Sequence, residues 1–161
     1  TTTSEGKGRT VMDLVAKATS SKIRPIGRLG RNSLGLILFT NDEKLHAKFT
    51  NSKHGVARLF QVTLDSPLQF EHLKQIQEGF KHKGKLIRVE AISYVEGAKK
   101  NEIGIKIKNT GNTLLRTIFT HFNYDIEKID CVSIGPLTKE DLPRGHWKHL
   151  SAQELSLMMM L

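Results

Sequence analysis

"KLIRVEAISYVE", Lys85 to Glu96, and "NEIGIKIKN", Asn101 to Asn109, are separated only by Gly97 to Lys100. In the second run Ile103, Ile105 and Ile107 alternate with Gly104, Lys106 and Lys108, the period of a strand with one buried face. The first run is rich in β-branched residues, and the glycine between them marks a turn. Strands joined this tightly pair antiparallel, since a parallel pair needs a long crossover. The reading is therefore an α+β fold with a mixed or antiparallel sheet rather than a doubly wound parallel one.

The flanking sequence fits that architecture. "VARLFQVTLD" (56–65) reads as a further strand, and "IEKIDCVSIGPL" (126–137) as a last strand region. "QFEHLKQIQEGF" carries Phe70, Leu73 and Ile76 at helical spacing and stops at Gly79; "TLLRTIFTHFN", opened by Gly111 and Asn112, carries Leu115, Ile118, Phe119 and Phe122. Upstream, Thr10 caps a helix through "VMDLVAKA", Pro25 and Gly27 open a loop, and "GLILFT" (35–40) is a short strand. Asn41 is the expected cap of a helix through "DEKLHAKFT", and Ser151 of one through "SAQELSLMMML".

The 161 residues suit one domain, and 38% hydrophobic with 25% charged residues is ordinary for a globular chain. No apolar run has the length to cross a bilayer, and "TTTSEGKGRT" lacks the apolar core of a signal peptide, so a cytoplasmic protein is expected. The single cysteine, Cys131, excludes an internal disulfide and a cysteine-based zinc site, and it is read as a packing residue. The net charge of +9 favours a polyanionic partner, and its basic clusters fall on loops and strand edges, including "SSKIRPIGRLGR" and "FKHKGKLIR". Nucleic acid leads on that ground.

Gly27 to Gly35 imitates a phosphate loop without completing one. Gly30 and Gly35 have the Walker gap, but Leu36 and Ile37 follow where lysine and a hydroxyl residue are required. The dinucleotide fingerprint fails too, because these glycines precede a strand instead of following one, so no nucleotide cofactor is expected. His146 and His149 sit in a segment broken by Pro143 and Gly145, and His82 lies between lysines, so neither suggests a metal site. Ser33 has no identifiable base, and Met158 to Met160 read as helix packing.

The order of five segments is more specific than any of these. "GRTVMDLV", "RPIGRLGRNSLGLILFTND", "ARLFQVTLD", "GNTLLRTIFTHF" and "LPRGHWKHL" resemble, in sequence and spacing, the catalytic domain of the RsuA-type bacterial RNA pseudouridine synthases. The resemblance covers nearly the whole chain. It implies that residues 1–161 form one catalytic domain, without the family's first strand or its separate small RNA-binding domain. It further implies an α+β fold with an RNA cleft, a uridine flipped out of ribosomal RNA, and no cofactor or metal. In that family an aspartate is the nucleophile, a tyrosine stacks beside the base, and an arginine from a later helix pairs with the aspartate.

This chain departs from the pattern at those positions. The family's G-R-L-D is Gly27, Arg28, Leu29 and Gly30 here, so the nucleophile's position has no side chain. Phe60 stands where the tyrosine belongs, and Thr113 and Thr117 replace two arginines beside the matching Asn112 and Arg116. Asp42 and Glu43 are the nearest carboxylates in sequence but lie beyond the predicted strand. The expectation is an RNA-binding protein with catalysis lost or impaired, in which Arg24, Arg28, Arg31, Asn112 and Arg116 contact RNA and Phe60 stacks on a base. The alternatives are an active synthase using another acid, and a protein-interaction module in ribosome assembly.

Overall fold

The computed structural model describes residues 10–28, 30, 32–50, 55–108 and 112–160. Its elements run α1 (Val11–Leu14), β1 (Arg24–Ile26), β2 (Ser33–Gly35), β3 (Leu38–Thr40), α2 (Glu43–Thr50), β4 (Arg58–Leu64) and α3 (Phe70–Glu78). They continue with β5 (Phe80–His82), β6 (Lys85–Ile87), β7 (Ala91–Tyr94), β8 (Glu102–Ile107), α4 (Asn112–His121), β9 (Ile126–Ile134), β10 (Leu137–Thr138) and α5 (Ala152–Met159).

The expected hairpin is β7–β8, antiparallel with Ile92 opposite Ile105. β4 lies between β8 and β9, antiparallel to both, so Phe60 has Ile105 on one side and Cys131 on the other. The far edge of β9 is shared by β10, antiparallel, and β2, parallel, which makes the six-stranded sheet mixed. Phe60, Val62, Leu64, Ile103, Ile105, Ile107 and Ile129 form its buried face, and Leu115, Ile118 and Phe119 of α4 cover them. At about 1.5–3 kcal/mol for each large side chain taken from water, this seam is the main source of stability.

Six local expectations are corrected. The helix expected through "VMDLVAKA" ends at Leu14, and Pro25, expected to open a loop, lies in β1 opposite Phe39. "GLILFT" is not one strand: Ser33–Gly35 pairs with β9 and Leu38–Thr40 with β1, so the chain changes sheets at Leu36–Ile37. "KLIRVEAISYVE" is likewise divided, because Lys85–Ile87 pairs with β5, an unforeseen strand, and Ala91–Tyr94 with β8. Asp42, not Asn41, caps α2, its Oδ1 accepting from the N–H of Lys44 at 2.9 Å and of Leu45 at 3.3 Å. Phe70 is 67% exposed at the first position of α3, leaving Leu73 and Ile76 as the packed stripe. The Ser151 cap is present, with Oγ accepting from the N–H of Glu154 at 3.1 Å. Among the described residues no helix is long and apolar enough to cross a membrane.

Candidate nucleic-acid interface

The loop before β2 meets the first turn of α4. Asn112 opens that helix, and its Nδ2 donates to the carbonyl of Arg28 at 3.3 Å and to Ser33 Oγ at 3.1 Å. One amide thus ties the loop to the helix from both sides of Gly30, while Asn32 Nδ2 reaches the carbonyl of Ile126 at 3.4 Å. Gly27 and Gly30 of this loop and Gly35 at the end of β2 differ in what fixes them. Gly27 and Gly35 have φ of 98° and 93°, the region that favours glycine. A Cβ on Gly35 would also stand 2.2 Å from the carbonyl oxygen of Cys131, because β2 is pressed against β9 there.

Gly30 meets neither restriction. Its φ lies outside the left-handed region, and a Cβ built on it would find Arg116 Nη2 at 3.6 Å, Asn32 Oδ1 at 3.6 Å and Ser33 Oγ at 3.8 Å. Those are ordinary contact distances, so a side chain fits, and its first atom would lie beside a guanidinium. A carboxylate there would pair with Arg116.

Beneath the loop lies a cavity of about 20 Å³, lined by Arg28, Arg58, Phe60, Asn112 and Cys131 among others. That volume holds about one water, not a base, so a nucleotide enters only if the walls move. Phe60 is 3% exposed with its ring in the core layer, and it bounds this cavity. Arg58 is the residue the sequence reading missed. It too is only 3% exposed, and its guanidinium donates to the carbonyls of Phe49 at 3.3 Å and Val56 at 3.5 Å. Burial lowers its pKa, partly offset by the neighbouring Cys131. Its signal was register: Arg58, Phe60, Val62 and Leu64 share the inward face of β4.

Arg28 and Arg116 are exposed beside this cavity and loop, and among the described residues no carboxylate forms an ion pair with Arg28, Arg58 or Arg116. Arg24 stands apart from them, paired with Glu43. Arg31 lies outside the described residues. Cys131 is buried, which pushes its thiol up to about 12 despite the cationic Arg58 alongside. His149 Nε2 contacts the carbonyl of Ala18 at 3.1 Å, and Met158 is fully buried while Met159 and Met160 are exposed. The assembled site is a cationic loop-and-helix corner, suited to phosphate, with space but no acid at its centre.

A family model described as RNA pseudouridylate synthase matches residues 1–141. The chain belongs to the RNA pseudouridylate synthase family. It is 27% identical over 154 residues to the dual-specificity RNA pseudouridine synthase RluF of Escherichia coli strain K12, covering 96% of this chain and 51% of that protein. It is 26% identical over 156 residues to the ribosomal large subunit pseudouridine synthase B of Vibrio cholerae, covering 96% and 48%. The chain thus spans about half the length of these pseudouridine synthases. A crystal structure of a pseudouridylate synthase superposes with a TM-score of 0.77 at 19% identity, over 92% of this chain and 65% of that one. The α+β fold expected from sequence is therefore the pseudouridine synthase fold.

Proposed function

We propose that this chain is a member of the pseudouridine synthase family that binds ribosomal RNA in the cytoplasm and in which isomerisation of uridine is lost or strongly reduced. One observation carries the reading: at Gly30 the fold leaves room for a side chain 3.6 Å from Arg116, and no carboxylate is supplied. The reaction needs a nucleophile to free the base for rotation, and a cationic pocket alone offers none. The two acids nearest to Gly30 in sequence are engaged elsewhere, which supports the reading further. Asp42 Oδ1 caps α2, and Glu43 pairs with Arg24.

The test uses ribosomal RNA carrying tritium at uridine C5, from which isomerisation releases label. The unmodified chain is expected to release none above background, and Gly30→Asp to release it measurably. Clear release by the unmodified chain would show that another acid serves. Retention of the RNA on a filter at low salt, lost as salt rises, checks the binding half of the proposal.

A further inference from the structure

The basic run "FKHKGKLIR" has no part in the Gly30 corner, and the fold makes it a separate arm. β5 and β6 form a two-stranded hairpin whose tip, Lys83–Gly84, has φ of 49° and 78°, as a type I′ turn requires. Phe80 and Ile87 face each other at its base, 9% and 7% exposed. The Phe80 ring lies 4.7 Å from that of His121 and 5.1 Å from that of Phe122. Nδ1 of His82 and Nδ1 of His121 share a hydrogen bond of 2.9 Å, which ties the arm to the end of α4. Lys81, Lys83, Lys85 and Arg88 are exposed, and among the described residues none forms an ion pair. No acidic residue occurs between Phe80 and Arg88.

We infer that this hairpin is a second RNA-binding element, gripping the phosphate backbone at the opposite end of α4 from Gly30. The inference rests on the RNA-binding reading above. α4 carries Asn112 at one end and His121 at the other, nine residues apart, or roughly 14 Å of helix. That span separates the two contacts by several nucleotides. The first turns of α4 present Thr113 and Thr117 where charge would be useful, and Thr117 Oγ1 is already donated to the carbonyl of Thr113 at 3.0 Å. The positive charge has its concentration on the hairpin instead. Lysines at a twisted tip are mobile point charges without the planar fork that reads a base, and the exposed apolar residue of the arm is Leu86, not an aromatic. The arm therefore contacts backbone and not sequence.

Binding of a fluorescein-labelled RNA stem–loop, measured against salt concentration, tests this. The Lys81→Gln/Lys83→Gln/Lys85→Gln variant should weaken binding about tenfold or more and reduce the slope of log K against log salt by about 2–3. The matching Lys→Arg variant should restore both, and unchanged thermal unfolding of both variants confirms that the anchors Phe80 and Ile87 still hold. Salt-dependent binding by the unmodified chain with an unaltered slope in the glutamine variant would overturn the arm and leave the RNA-binding reading standing. Absence of salt-dependent binding by the unmodified chain would overturn both. Discrimination between the variants by polyglutamate but not by the stem–loop would assign the arm to an acidic protein, against the proposal.

Discussion

Gly30 and Gly35 are five positions apart, one in the loop before β2 and one at the end of β2, yet the fold treats them in opposite ways. At Gly35 the backbone is left-handed and a Cβ would stand 2.2 Å from the Cys131 carbonyl oxygen and 2.5 Å from its nitrogen. At Gly30 the backbone lies outside that left-handed region, and a Cβ would meet its nearest described atoms at 3.6 Å. The first glycine is required by the seam between β2 and β9. Among the described residues nothing in the packing requires the second, so its lack of a side chain bears first on chemistry. Adjacent glycines in a motif are thus separable by what a methyl group would meet.

The strongest way to break this contrast is Gly35→Ala. Left-handed strain and a clash with backbone that cannot rotate away should together cost about 3 kcal/mol or more, read as a fall in the urea midpoint. A near-neutral result would show that β2 can leave β9 without loss. Next in size is the buried guanidinium beneath the loop. Arg58→Ala should lose about 2 kcal/mol, because the carbonyls of Phe49 and Val56 lose their donor and a void opens beside the small cavity. Arg58→Met fills most of that space and removes a desolvated charge, so it should cost less than Arg58→Ala in the same urea titration.

Much of this arrangement is legible in the sequence, because local periodicity encodes which face is buried. The alternation of Ile103, Ile105 and Ile107 and the stripe Leu115, Ile118, Phe119 are both core in the structure. Short strands escape such a reading. Phe80–His82 has one buried residue beside two basic ones, too few to show a period, and only its partner Lys85–Ile87 makes it a strand. The change of sheet at Leu36–Ile37 is equally silent, since an unbroken aliphatic run is the same whether its halves pair with one neighbour or two. Asn112 matched a family position, but its hold on Arg28 and Ser33 spans 84 and 79 residues and belongs to tertiary structure.

Beside the Gly35 seam, Cys131 provides a test through pH. Burial holds its thiol protonated up to about 12, against 9.0 for an exposed group. The folded chain therefore keeps this proton where the unfolded chain releases it. The contribution to stability is intact below about pH 9 and falls as pH rises from there toward 12, by at most about 1.4 kcal/mol per pH unit. Relative to Cys131→Ala, the unmodified chain should lose stability faster between these limits, and in the folded state it should react slowly with a thiol reagent at neutral pH. Fast labelling at neutral pH would mean that the β2–β9 seam opens readily.

The smallest stability effects belong to Gly30, and they sharpen the comparison most. Gly30→Ala should leave the urea midpoint unchanged or raise it slightly, by about 0.4–1 kcal/mol, since a side chain fits the native backbone and restricts the unfolded one. Gly30→Asp adds a carboxylate beside an exposed guanidinium, a pair worth about 0–1 kcal/mol that salt weakens. The difference between the two variants should shrink in high salt and vanish when Arg116→Gln is combined with each. A double-mutant cycle of that form measures the pairing by itself, independently of any turnover. If the cycle shows coupling and tritium is still not released, the acid is not the only missing part. Phe60, Thr113 and Thr117 then become the next residues to restore, because the pocket would have recovered its ion pair without recovering its chemistry.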